Sequence, residues 1–346
     1  MVNLLLTPGP VHVPDRILSY QSEIIHHRSK EFSELYNRVM QKLEKFSGAK
    51  KAVVFTGSGT LANESMLSSL DFGKVLVVSN GVFGKRVGEI SELYNNTEVI
   101  NFVEGTGINY SRIKEKIDLE TFDTLALVEN ETSTACINDV ESIRKNFSGK
   151  LLVDSVSAWP VGKVSSESAD IFTTASQKAI GIMPGLSIVF LNKKTALEVV
   201  EKGVKKNYYP NLKHNLEKAL HNQNPSTPAV TLFQNLELSL LMIEEKGIDN
   251  FRKEHEEMSF YVRKKLSEAG FEIMGEKGFY SPTIVGFLCK SIEEKNRIKN
   301  TLAKKGFAIA SGKGKYSEKG LRIGTMGFFE KEKIKECIEE IQNSCY

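Results

Sequence analysis

Apolar and polar positions along this chain follow two periods in turn. Short apolar, β-branched runs at 52–56, 75–79, 97–103, 125–128, 151–155, 171–175 and 186–191 read as strands. Between several of them the spacing becomes helical. A helical pattern begins at Asp15, and Phe32, Leu35, Tyr36, Val39, Leu43 and Phe46 share one face of a segment that ends at Gly48. Further helices are expected over 61–70 and 110–117. Strand and helix in alternation predict an α/β fold on a mainly parallel sheet, with ligand groups at the carboxyl ends of the strands. From Lys202 to His221 the pattern is polar and irregular. Long helices are then expected over 230–245, where Leu232, Leu236, Leu240 and Ile243 make a stripe, and over 249–269. The tail carries strands near 271–274, 283–289, 308–311 and 321–325 and helices near 291–305 and 330–342, a smaller α+β unit. The expected division is a large ligand-binding domain over 15–230 and a small domain made of 1–14 and 231–346.

Composition narrows this picture without naming a chemistry. A chain of 346 residues, 40% hydrophobic and 26% charged, has the makings of an ordinary soluble protein with a substantial core. Its net charge of +3 makes no case for nucleic acid or a membrane surface. Cys136, Cys289, Cys337 and Cys345 are far apart and in no metal-binding spacing, which fits a reducing compartment. There is no signal-peptide pattern and no apolar run of membrane-spanning length, so a cytoplasmic location is expected. His26 and His27 are adjacent, and neighbours on a helix face different ways, so no metal site is expected.

The candidate chemistry sits at strand ends. Lys178 follows the strand 171–175, and Gly181, Pro184 and Gly185 break any helix before the next strand. A lysine drawn between buried strands is either a solvated edge residue or an amine made nucleophilic by desolvation, suited to a Schiff base with a carbonyl cofactor. Gly57-Ser58-Gly59-Thr60 lies between a strand and a helix; free amides, the helix dipole and two hydroxyls make an anion site there, or the glycines merely permit a turn. The motif is neither a Walker loop nor a dinucleotide turn, and a phosphate on a small cofactor suits it better. Phe83, between Gly81 and Gly84, can lie over a planar ligand or belong to the core. Glu131-Thr132-Ser133-Thr134 offers hydroxyls, and Asp154 ends an apolar strand. Together these are the parts needed for pyridoxal phosphate: phosphate at the helix start, ring against Phe83, Asp154 on the ring nitrogen and Lys178 on the aldehyde.

The ordered set of motifs resembles the class V aminotransferases of fold type I, over nearly the whole chain. The resemblance rests on Thr7-Pro8-Gly9-Pro10, Gly57-Ser58-Gly59-Thr60, Asn80-Gly81-Val82-Phe83-Gly84, Glu131-Thr132-Ser133-Thr134, Val153-Asp154-Ser155, Ser176-Gln177-Lys178 and Leu321-Arg322-Ile323-Gly324. The alanine–glyoxylate or serine–pyruvate and the 2-aminoethylphosphonate–pyruvate branches are the most similar. It implies a seven-stranded large domain and a ping-pong Schiff-base mechanism. It further implies that Ser58, Gly59, Thr60 and Gln177 bind the cofactor phosphate and that Thr132 meets the ring hydroxyl. Gly9 and Arg322 would bind substrate, Arg322 through its carboxylate, with Arg28 as the one other candidate arginine. The resemblance also implies a homodimer with shared active sites, in which Ser226 or Thr227 reaches the other subunit's cofactor. Phe83 stands where relatives often carry Trp or Tyr, Ala135 replaces a usual glycine, and Asn130 and Asn211 also depart from the pattern. A single carboxylate-binding arginine leads to the expectation of small donors, alanine or serine, with pyruvate or glyoxylate as acceptor. The alternatives are 2-aminoethylphosphonate as donor, or a cysteine desulfurase-type lyase; a desulfurase typically has histidine where Gln177 precedes the lysine.

Overall fold

The computed structural model describes residues 4–20 and 23–344; Cys345 and the first three residues of the expected small domain lie outside them. In chain order the strands are β1 (Leu4–Leu6), β2 (Lys51–Thr56), β3 (Lys74–Ser79), β4 (Asn96–Asn101), β5 (Thr124–Val128), β6 (Asn130–Glu131), β7 (Cys136–Ile137), β8 (Lys150–Asp154), β9 (Ile171–Ala175), β10 (Leu186–Leu191), β11 (Glu272–Ile273), β12 (Ile284–Leu288), β13 (Phe307–Ser311) and β14 (Gly320–Gly324). The helices are α1 (Asp15–Leu18), α2 (Lys30–Ser47), α3 (Gly59–Leu67), α4 (Val82–Tyr94), α5 (Tyr110–Lys114), α6 (Val140–Asn146), α7 (Lys193–Lys202), α8 (Leu212–Ala219), α9 (Val230–Lys246), α10 (Ile248–Glu268), α11 (Ile292–Lys304) and α12 (Lys331–Asn343).

Seven strands form the large sheet in the order β2-β10-β9-β8-β5-β3-β4. All neighbours are parallel except β10, which runs antiparallel to both β2 and β9. The reason is local: the ten residues between β9 and β10 hold no helix that could carry a parallel crossover. Helices cover both faces. On one, α2 and α9 pack Leu43, Phe233 and Leu236 against Val54, Phe172 and Phe190 of the sheet. On the other, α3, α4 and α8 bring Met66, Val87 and Leu212 against Val53, Val77 and Val189. Strands buried on both sides read as unbroken apolar runs, which is why their positions were visible in the sequence. Phe172 stacks on Phe190 with ring centres 4.7 Å apart, and burying each such ring is worth about 1.5–3 kcal/mol. The strand that delivers Lys178 is thus packed into the core of the large sheet.

Five strands form the second sheet, β1-β13-β14-β12-β11, packed with α10, α11 and α12 through Leu4, Leu6, Phe287, Leu302 and Ile338. The expected boundary at residue 230 falls at the start of α9, whose Phe233 and Leu236 share the core of the large sheet.

Some segments differ from the sequence reading. Residues 202–221 contain α8, because the Asn211 side chain caps it at His214 N and Leu212 and Leu216, one turn apart, are buried. The glycine-flanked Phe83 lies in the first turn of α4, a helix the sequence reading did not place. Its first amides are satisfied from outside the helix, as described below. Among the described residues no helix is long and apolar enough to cross a membrane.

Candidate active site

The parallel strands end around a cavity of about 270 Å³. It is lined by Ser58, Gly59, Thr60, Asn63, Phe83, Arg86, Val128, Asn130, Thr132, Asp154, Val156, Ser157, Gln177 and Lys178. Of the residues named from sequence it gathers Ser58, Gly59, Thr60, Phe83, Thr132, Asp154, Gln177 and Lys178, drawn from five different strand ends.

Lys178 is placed by a closed turn. Ser176 Oγ donates to Met183 O at 2.8 Å and accepts from Leu186 N at 3.1 Å, tying the two ends of the loop together. Nζ then reaches the N-terminal arm and donates to Pro8 O at 2.5 Å. Burial pushes the lysine's pKa down from 10.5 to about 8; Asp154 opposes the shift, while Arg322, Lys313 and Arg86 add to it. About one amine in ten is then unprotonated at pH 7, against about one in three thousand for an ordinary lysine.

Asp154 ends β8 and is buried, which raises its pKa. Several groups counter that by favouring the carboxylate. Val156 N donates to Oδ1 at 2.9 Å, Asn63 Nδ2 donates to Oδ2 at 2.6 Å, and Lys178 and Arg86 supply positive charge.

At the start of α3, Ser58 occupies the N-cap position, yet its side chain makes no capping bond. Its hydroxyl and the first amides of the helix therefore remain available to an anion. Gln177 Oε1 is buried without a partner beside them. Phe83 is held by Glu131, whose Oε2 accepts from Phe83 N and Gly84 N at 2.9 Å each. A carboxylate thus caps α4, and burial raises its pKa against those donors. Arg86 and Lys313 lie 5.1 Å and 5.0 Å from the Phe83 ring centre.

The substrate-side residues are placed differently. Gly9 lies on Lys178 rather than in the cavity wall. Arg322 is buried in β14; Nε and Nη2 donate to Ser311 O at 3.0 and 2.8 Å, and Nη1 donates to Thr132 O at 2.8 Å. One N–H on each Nη remains for a ligand. Burial holds its pKa down to about 10, with Glu131 opposing. Arg28 points elsewhere: Nη1 donates to Gln223 Oε1 and Asn224 O at 2.9 and 2.8 Å, and Nη2 to Pro225 O at 3.1 Å. It anchors the segment carrying Ser226 and Thr227, which lie outside the Lys178 cavity within one chain.

Sequence reasoning missed Asn63, Arg86 and Lys313. Asn63 lies one helical turn after Gly59 in a stretch where Thr60, Glu64 and Ser65 are also polar, so the sequence does not set it apart. Arg86 lies one turn after Phe83. Lys313 reaches the site only through the pairing of β13 with β14.

Comparison with known proteins places this arrangement. Residues 16–324 match the class V aminotransferase family. An uncharacterised aminotransferase of Methanocaldococcus jannaschii is 31% identical, covering 96% of this chain and 89% of the relative. The alanine–glyoxylate aminotransferase of Mus musculus is 25% identical, covering 99% of this chain and 88% of its own length. Among solved structures, an alanine–glyoxylate aminotransferase from Nostoc sp. superposes with a TM-score of 0.90 at 23% identity, covering 100% of this chain and 96% of its own.

Proposed function

The chain belongs to the class V aminotransferase family, and on that premise we propose that it moves an amino group from a small amino acid, alanine or serine, to pyruvate or glyoxylate, using pyridoxal phosphate on Lys178. The observation that carries this reading is the convergence of a desolvated lysine, a buried carboxylate and an uncapped helix N-terminus on one cavity. The residues fit the cofactor. The unspent Ser58 hydroxyl and the uncapped first amides of α3 are donors placed for a phosphate, with the Gln177 side chain on the same cavity, and three kinds of support oppose the burial that raises the Asp154 pKa.

Bound there, pyridoxal phosphate supplies an electron sink for the carbanion left when a Cα proton departs. The chain's own groups do the rest. Lys178 Nζ would be the attachment amine, and the same group is placed to take the proton from Cα and return it. Asp154 holds a proton on the ring nitrogen; a carboxylate at about 4 Å is worth about 4 kcal/mol in a protein-like dielectric. The two remaining N–H groups of Arg322 grip the substrate carboxylate as a fork and fix the Cα–H bond. Ser58, Gly59, Thr60 and Gln177 hold the phosphate, and Thr132 the ring hydroxyl. Ser226 and Thr227, outside the cavity of their own chain, serve the site of a second copy in a homodimer.

A panel of amino donors against pyruvate, glyoxylate and 2-oxoglutarate tests the reading. Alanine or serine with pyruvate or glyoxylate is the expected pair, and a preference for glutamate with 2-oxoglutarate overturns the small-substrate assignment. The cluster of Arg86, Lys313 and Arg322, faced among acids by the buried Glu131, favours 2-aminoethylphosphonate as a second reading and belongs in the panel. The desulfurase alternative has little support, since Cys136, Cys289 and Cys337 are buried and none lines the cavity.

A further inference from the structure

A buried polar chain joins β9 to β8 through α3. Thr173 donates Oγ1 to Asn63 Oδ1 at 2.7 Å, and Asn63 Nδ2 donates to Asp154 Oδ2 at 2.6 Å. Thr173 is fully buried and Asn63 is 4% exposed, so water does not compete for these bonds. The direction of the chain is fixed by chemistry. An ionised carboxylate only accepts, so a flipped amide would set Asn63 Oδ1 against Asp154 Oδ2 and leave the threonine hydroxyl without its acceptor. Asparagine in a helix interior sacrifices helix propensity and must satisfy a buried amide, so this position is costly for stability alone. Its neighbours Ala62, Met66 and Leu67 are apolar and buried, as a helix packed on this sheet requires.

We propose that Asn63 is a positioning residue for Asp154: it holds Oδ2, keeps the carboxylate ionised, and thereby sets the lowest pH at which pyridoxal phosphate is retained. The inference rests on reading Asp154 as the partner of the ring nitrogen. The groups that face Asp154 come from several elements. Lys178 beyond β9 and Arg86 on α4 both favour the charged form, and Val156 N holds the other oxygen. Glu129, just past β5, turns its carboxylate away, onto Ser155 Oγ and the amides of Lys163 and Val164. Against burial, which drives Asp154 towards the neutral acid, Asn63 is the neutral side chain that donates to it. A neutral Asp154 cannot hold a pyridinium.

The test is the affinity of the cofactor-stripped protein for pyridoxal phosphate, measured from pH 5 to 9 by absorbance, for the wild type, Asn63→Leu, Thr173→Val and Asp154→Asn. Ionisations of the cofactor itself are common to all four. Asn63→Leu is expected to move the acid limb of binding upward by about one pH unit, a tenfold change in proton affinity. Thr173→Val, which frees the amide to turn, shifts it less in the same direction and carries the test if Asn63→Leu fails to fold. Asp154→Asn should remove the part of the limb that the other two variants move, leaving the share due to the cofactor and the Lys178 amine. A uniform loss of affinity at every pH, or no change, in both the Asn63 and Thr173 variants overturns the positioning role. An acid limb in Asp154→Asn identical to that of the wild type overturns the reading of Asp154 itself, and the role of Asn63 with it.

Discussion

Gly9 lies directly against the amine end of Lys178: a Cβ built on Gly9 would come 2.6 Å from Cδ and 2.7 Å from Nζ. No side chain fits between the N-terminal arm and the lysine. The backbone of Gly9 also sits at φ +113°, where other residues are strained. Gly9→Ala should therefore cost about 1–3 kcal/mol in stability and displace the amine. We expect a folded protein that takes up pyridoxal phosphate poorly, read from bound-cofactor absorbance beside a denaturation curve. Normal uptake would show that the arm moves aside freely.

Arg322 donates to Ser311 O through Nε and Nη2 and to Thr132 O through Nη1, which leaves one N–H on each Nη free. Arg322→Lys cannot do both, since one ammonium does not reproduce a planar fork. Charge-assisted hydrogen bonds of this kind are worth about 1.5–3 kcal/mol. The KM for amino acid should rise by about tenfold or more, with cofactor uptake little changed. An unaltered KM would remove Arg322 from the substrate site.

Lys313 and Arg86 both depress the Lys178 amine by like charge. Lys313→Met removes one of those charges, so the Lys178 pKa should rise from about 8 towards its ordinary value. The sign follows: a larger fraction of the amine is protonated at neutral pH, and the pH profile for the rate of cofactor uptake moves to higher pH. A profile unmoved, or moved to lower pH, contradicts the arrangement.

Ala135 adopts φ +58°, a left-handed conformation that costs an L-residue about 1–2 kcal/mol. It closes the β6–β7 hairpin. Ala135→Gly removes the strain and gives back about 0.4–1 kcal/mol in unfolded-chain entropy. The variant should be more stable by up to about 1 kcal/mol in chemical denaturation, and a clear loss of stability would mean that the methyl group packs usefully.

Lys178, Asp154 and the turn at Ser58 were legible in the sequence because each is a polar residue placed where a buried apolar strand stops. That contrast survives without any knowledge of neighbours. Asn63 and Lys313 were not, because their meaning depends on which strand they face: Asn63 on Asp154, ninety-one positions away, and Lys313 on Phe83. The antiparallel course of β10 could have been inferred from the short, helix-free loop before it. The helix α8 was hidden because only Leu212, Asn215 and Leu216 of its eight residues are buried. Arg28 illustrates the reverse case, since a candidate substrate ligand lying near a family motif directs three of its N–H donors to Gln223, Asn224 and Pro225.

The central claim is that Lys178 carries the cofactor, and the most direct test is chemical. Wild-type protein loaded with pyridoxal phosphate is reduced with borohydride, digested and mapped by mass spectrometry. The account predicts one pyridoxyl-modified peptide, labelled on Lys178, and no cofactor retained by Lys178→Ala after the same treatment. A label on any other lysine, or an equal label in the Lys178→Ala protein, would contradict it.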